Sequence, residues 1–275
     1  MTALETGRFF MIKLDGIFRS VVKLQYEKVV SALERILDMH AHIWKNREEA
    51  CVQAMHQAAQ RFGIEKILIS ALGSHSPDQA EVDYLNEQTA KWIRQDSLFG
   101  GYVTISPEHD NSLDVLRKGI ETQGMIGMKI WVSCLCDDDR CDRLYEYCGE
   151  NGVPVLIHAF AKAEGQLPFE ATGVHVANAA RRHPKTKFIM AHLGGNCYHG
   201  LRMIQDLPNV WTDFSGGPFR QDDIPYAVQL LGAERVLFGT DNAYAMNYGQ
   251  AMEAQLSRED REKILYTNAA TLFGL

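Results

Sequence analysis

Eight short apolar runs, at residues 36–40, 66–71, 101–106, 126–132, 153–158, 187–192, 210–214 and 235–240, constrain this chain more than any other feature. Most are rich in Val, Ile, Leu and Phe without strict alternation, which is how strands buried on both faces read. Amphipathic segments separate them. Asn46 is the expected N-cap of a helix over 47–62 that Gly63 stops, and Pro77-Asp78 opens a second one to Asp96. Asn111 or Ser112 opens a third to Gln123, closed by Gly124, and further helices are predicted over 138–151 (closed by Gly152), 169–183, 198–205, 223–231 and 257–266. The runs begin every ~22–35 residues, the length of one strand-plus-helix unit, so the chain is predicted to be an α/β protein with a single (β/α)8 TIM barrel. A doubly wound open sheet is the alternative, but no Gly-x-Gly-x-x-Gly follows the first run and that topology normally uses fewer strands. The barrel should occupy residues 36–275. Residues 1–35 form a short N-terminal extension, with a turn pair at Asp15-Gly16 and helical spacing of Val29, Val30 and Leu33, read as a hairpin or helix.

Composition narrows the function classes. With 46% hydrophobic and 23% charged residues the chain has ample material for a core. Its formal net charge is −7 and it lacks a long basic run, which disfavours nucleic acid or an anionic membrane as partner. No window approaches the ~18 uninterrupted apolar residues of a membrane span. The first residues, Met1 to Gly7, lack the basic and apolar regions of a signal peptide, so a cytoplasmic location and reduced thiols are expected. Of the six cysteines, Cys134, Cys136 and Cys141 are close enough in sequence to bind a soft metal. They lack the spacing and second pair of a zinc knuckle, so core and loop thiols are the better reading.

In a barrel of this kind the chemistry sits at the C-terminal ends of the strands. The first strand ends in His40 and reaches His42, which share a face with Asp38 if the strand is regular. The fifth ends in His158, the sixth in His192 and the eighth in Asp241. Singly, each has a plainer explanation: a lone strand-end histidine is usually a hydrogen-bonded structural residue, and Asp241-Asn242 would serve as a helix cap. Four strands ending this way converge five strong ligand types on one rim. The remaining histidines end no strand.

These residues carry a resemblance. Asp38-Met39-His40-Ala41-His42, the run 153–158, Ala191-His192-Leu193-Gly194-Gly195 and Leu237-Phe238-Gly239-Thr240-Asp241 resemble the amidohydrolase superfamily, and more narrowly its amidohydrolase-2 branch with the aminocarboxymuconate-semialdehyde decarboxylase-like enzymes. Gly127-Met128-Lys129-Ile130 and the C-terminal Asn268 to Gly274 are similar to that branch as well, so the likeness covers roughly residues 36–275. It implies one divalent metal on His40, His42, His158 and Asp241, zinc by preference, with manganese, iron or cobalt suiting the same ligands. It implies that His192 works on water or substrate rather than on the metal, and it implies a homodimer. In two-metal members the lysine at the position of Lys129 is carbamylated. The preferred reading here is a buried lysine paired with Asp38 or another interior carboxylate, because an unpaired buried ammonium is costly.

Three functions follow from such a site. The first expectation is a hydrolase, in which metal-activated water attacks a small amide, cyclic amide or lactone, with Asp241 moving the proton and His192 supporting the developing charge. The second is a non-oxidative decarboxylase of a conjugated or aromatic carboxylate, which needs a cation at the rim. Lys45, Arg140, Lys162 and Arg220 are the candidates, with Trp44 and Trp131 lining the pocket. The third is a metal-stabilised binding protein, against which His192 argues, since the metal does not need it.

Overall fold

In the computed structural model, which describes residues 34–217 and 220–275, every apolar run overlaps a strand. The strands are β1 (Ile36–Trp44), β2 (Ile64–Leu72), β3 (Phe99–Ile105), β4 (Gly127–Ile130), β5 (Val155–Ile157), β6 (Phe188–Met190), β7 (Val210–Asp213) and β8 (Val236–Leu237). They pair in parallel and in chain order, as the predicted barrel requires. Helices α1 (Glu48–Phe62), α2 (Gln79–Gln95), α3 (Ser112–Arg117), α4 (Asp142–Asn151), α5 (Gly173–Arg182), α6 (Cys197–Ile204) and α7 (Asp223–Leu231) fill the crossovers. After β8 come α8 (Tyr244–Glu253), α9 (Arg258–Glu262) and α10 (Asn268–Phe273). The hairpin or helix expected over 1–35 lies, but for Glu34 and Arg35, outside the described residues. Among the described residues no helix is long and apolar enough to cross a membrane.

The stop signals act as expected. Gly63 and Gly152 take left-handed backbone and donate their N–H groups to Ala59 and Cys148. The Asp78 carboxylate caps α2 by accepting the Glu81 N–H. Two starts differ. Asn46 does not cap α1: its φ is 65°, and its N–H donates to the Glu48 carboxylate instead. Helix α5 begins at Gly173 rather than Phe169, because the chain before it returns across the rim and buries Glu170.

Burial on both strand faces explains the missing alternation. Ile67, Ile69, Val103 and Met128 pack outward with Met55 and Leu85 of the helices. Leu37, Met39, Leu68, Tyr102, Leu156, Ile189 and Leu237 fill the lower interior, which α10 closes with Ala269, Leu272 and Phe273.

A bulge in β1 sets the upper interior. Asp38 pairs with Ile67 and Ala41 with Ile69, so Met39 and His40 together oppose Leu68. Met39 therefore belongs to the lower layer while His40 and His42 face the upper one, and the parity that would group Asp38 with them breaks here. Asp38 turns instead to the seam between β1 and the chain after β8. It accepts the Thr240 N–H at 3.0 Å, the His40 N–H at 3.1 Å and the Thr240 hydroxyl. Met39 N–H donates to Phe238, Asp241 N–H donates to His40, and the Asn242 amide pairs with both backbone groups of His42. These bonds close the barrel.

Asp38→Ala takes the carboxylate from the His40 N–H and leaves the Thr240 N–H only the His40 carbonyl at 3.2 Å, and is expected to lower stability by roughly 1–3 kcal/mol in urea unfolding. Burial raises the Asp38 carboxyl from 3.8 to about 7 against its hydrogen bonds from Thr240 and His40. The folded protein thus holds a proton that the unfolded chain has released. Relative to Asp38→Asn, the wild-type advantage should be fullest below pH 3.8 and decline as pH rises through about 7.

Candidate metal centre

The bulge and strand ends bring His40, His42 and Asp241 together. His40 Nε2 and His42 Nε2 lie 3.0 Å apart, and Asp241 Oδ1 is 3.2 Å from His42 Nε2. These three residues offer ligand atoms within 4.8 Å of one another, as do His40, His192 and Asp213, and among the described residues these are the two groups able to hold a metal ion. On the neighbouring strand ends, His158 Nδ1 stands 3.0 Å from His192 Nε2. Lys129 Nζ lies 3.2 Å from His40 Nε2 rather than on Asp38, whose carboxylate the seam has taken.

The outer nitrogens decide what the inner ones can do. A carboxylate or carbonyl oxygen only accepts, so the ring nitrogen facing it carries the proton. His40 Nδ1–H donates to Asp213 at 2.8 Å, His192 Nδ1–H to the Ser215 carbonyl at 2.8 Å and His158 Nε2–H to Glu170 at 2.9 Å. His42 Nδ1 meets the Ser70 hydroxyl at 2.8 Å. Consequently His40 Nε2, His158 Nδ1 and His192 Nε2 turn lone pairs toward a shared space. Those of His158 and His192 face each other across 3.0 Å, a repulsion that a cation or proton relieves. Inner lone pairs fixed by outer acceptors are what a divalent metal requires of histidine ligands. Of the four expected ligands, His40, His42 and Asp241 are grouped closely enough to share an ion, while His158 Nδ1 faces His192 Nε2 instead.

The charges agree with that donor set. Burial, then the Lys129 charge, pushes His40 down to about 3, and burial lowers His42 and His158. Neutral imidazoles are the metal-binding form. Burial alone would raise Asp241 and Asp213, but contacts with His42 hold the first, and with His40 the second, well below the usual carboxylate range. Burial lowers Lys129 to about 8.

Unusual backbone aims two of these groups. Ile189 and Ala191 face the interior, so a continued strand would send His192 outward; φ values of 62° at His192 and 50° at Leu193 turn it back. Asp241 and Asn242 are left-handed too, at 48° and 67°. A Cβ on Gly239 would stand 2.8 Å from that of His40, so only glycine lets the chain after β8 pass so close.

Trp44 and Trp131 meet edge to face with ring centroids 5.7 Å apart, and His75 stands 4.8 Å from Trp131. Trp44 lies 6.0 Å from His42, and Phe160 5.6 Å from His192. A narrow cleft opens beside His192, lined also by Phe214, Arg220, Asp223 and Gln250. The other candidate cations are engaged: Lys45 with Glu81 at 3.0 Å, Arg140 with Asp138 at 2.8 Å and Lys162 with Glu170 at 2.7 Å. All six cysteines are buried and free, and Cys134 and Cys141 have sulfurs 3.7 Å apart, with no metal-binding group formed around them among the described residues. The sequence reading overlooked Asp213, Ser215, Ser70, Glu170 and His75. Asp213 had a signal, since it ends β7 just as His158, His192 and Asp241 end or follow their strands.

Comparison with known proteins adds a family. The profile of the amidohydrolase family matches residues 37–275. Gamma-resorcylate decarboxylase of Rhodococcus jostii (strain RHA1) is 32% identical over 118 residues, a stretch covering 34% of this chain and only 35% of that protein. The barrel is similar to 2,6-dihydroxybenzoate decarboxylase in complex with 2,6-dihydroxybenzoate, with a TM-score of 0.72 at 16% identity over 88% of this chain and all of that one. It is also similar to a dihydroxybenzoic acid decarboxylase of Polaromonas sp. JS666 that holds manganese and the inhibitor 2-nitroresorcinol, with a TM-score of 0.71 at 17% identity over 88% and 97% of the two chains. At these identities the structural likeness speaks to the fold. The expectation of hydrolysis is corrected here: the named relatives are decarboxylases, not hydrolases.

Elemental analysis should find bound metal lost in His40→Ala and Asp241→Asn and kept in His192→Ala. Asp213→Asn should keep the stoichiometry but bind roughly 10–100-fold more weakly, because it changes the partner that aims His40. Unchanged metal in the first two variants contradicts the ligand set.

Proposed function

Since the chain belongs to the amidohydrolase family over residues 37–275, we propose that it is a metal-dependent decarboxylase of a small aromatic or conjugated carboxylic acid. The observation that carries this reading is His192: the expected ligand set does not need it, yet it faces a cleft that also holds Phe214 and Arg220. The decarboxylase relatives support the same substrate class. Zinc or manganese suits the imidazole and carboxylate donors.

A divalent ion bound there supplies positive charge that holds an acidic substrate and withdraws electron density from it. Arg220 pairs with the substrate carboxylate at the cleft mouth. Trp44, Trp131 and Phe160 offer flat apolar walls that fit an unsaturated ring and exclude water from it. His192 Nδ1–H is committed to Ser215, so Nε2 is where a proton is held and released. That proton goes to the carbon bearing the carboxylate. The bond to the carboxylate carbon then breaks, its electron pair returns to the unsaturated system, and carbon dioxide leaves. One proton enters for each carbon dioxide released. Asp241, with 28% of its side chain exposed, is the group through which the proton is replaced from solvent.

Protein reconstituted with zinc or manganese should release carbon dioxide from dihydroxybenzoates and related acids. His192→Ala should lower kcat by roughly 10²–10⁴-fold with metal retained, the span of general acid–base catalysis. Arg220→Met should act chiefly on KM. Turnover of lactones or amides without carbon dioxide release overturns the proposal.

A further inference from the structure

Glu170 lies on the segment between β5 and α5, with 2% of its side chain exposed. Its carboxylate accepts from His158 Nε2 at 2.9 Å, Lys162 Nζ at 2.7 Å, Gln166 Nε2 at 3.0 Å and the Leu167 N–H at 3.3 Å. The same segment is anchored where Phe160 N–H donates to Ala171 and Ala161 N–H to Gly194. One buried side chain thus binds a rim segment to a site histidine.

We propose that Glu170 is a positioning residue that selects the tautomer of His158 and thereby keeps two nitrogens available in the site. An acceptor at Nε2 places the proton there and leaves Nδ1 as a lone pair facing His192. Without that acceptor the proton moves to Nδ1, which then donates across 3.0 Å to His192 Nε2. The two histidines satisfy each other, and neither nitrogen remains for metal or substrate. Lys162, expected from the sequence to meet substrate, instead holds Glu170 in place. The inference rests on the proposed function in taking His158 as a metal ligand.

The test reads the tautomer before any metal is added. Long-range proton–nitrogen NMR correlations of the chelator-treated full chain, assigned with His158→Gln, should show His158 protonated at Nε2 in the wild type and in Glu170→Gln, whose amide oxygen also accepts. Glu170→Met should shift the proton to Nδ1. Titration of the folded variants with Mn²⁺ should then show Glu170→Met binding about 10–100-fold more weakly than the wild type, with Glu170→Gln closer to it. A wild type protonated at Nδ1 overturns the proposal even if Glu170→Met fails to fold. So does Glu170→Met binding Mn²⁺ as tightly as the wild type. If the wild type is protonated at Nε2 but binds neither Mn²⁺ nor Zn²⁺, the tautomer assignment stands and the metal-dependent function falls.

Discussion

One buried carboxylate organises the upper half of the barrel. Asp213 accepts from His40 Nδ1 at 2.8 Å, the His192 N–H at 3.0 Å, the Ser215 N–H at 2.9 Å and the Ser215 hydroxyl at 2.7 Å. Taking an ionised carboxylate out of water costs several kcal/mol, so the site is stable only while these donors surround it. They in turn acquire fixed orientations. His40 points Nε2 at His42, the turn at His192 is pinned through its amide, and Ser215 presents the carbonyl that accepts the His192 Nδ1–H bond. Two imidazoles with different roles therefore depend on a single side chain at the end of β7.

The molecule divides stability from chemistry along the barrel axis. Below, Leu37, Leu68, Tyr102, Leu156 and Ile189 form a dry layer that α10 seals. Above lie His40, His42, Lys129, Asp213 and Asp241, and with them the left-handed residues His192, Leu193, Asp241 and Asn242. Such backbone costs of order 1–3 kcal/mol per residue and persists only where its surroundings over-determine it. Here the surroundings are the seam bonds of Asp38, Thr240 and Asn242 with β1. Closing the barrel and aiming Asp241 are the same event.

Much of this was legible in the sequence because burial on both faces leaves a strong mark. Val153 to His158 and Phe188 to His192 read as strands ending in histidine, and that is where the chain turns to the rim. Period-two reasoning stopped short at two places. The bulge at Met39 and His40 displaced Asp38 from the inward face, and the left-handed turn at His192 replaced strand geometry altogether. Neither leaves a compositional signal. Asp213 was readable by the rule that found Asp241. Ser70 and Ser215 were not, since serine at a strand end is unremarkable in a sequence. Glu170 was hidden because its segment was read as helix. The reaction was the least legible feature: the same imidazoles and carboxylate serve hydrolysis and decarboxylation, and the difference lies in cleft walls contributed by loops.

X-ray absorption of the metal-loaded protein tests the centre most directly. A metal held by the inward nitrogens of His40, His42 and His158 and by Asp241 gives only nitrogen and oxygen neighbours, at about 2.0–2.2 Å for zinc, with the outer-shell scattering of imidazole rings. A sulfur shell at about 2.3 Å would place the metal among the cysteines instead and contradict the assignment.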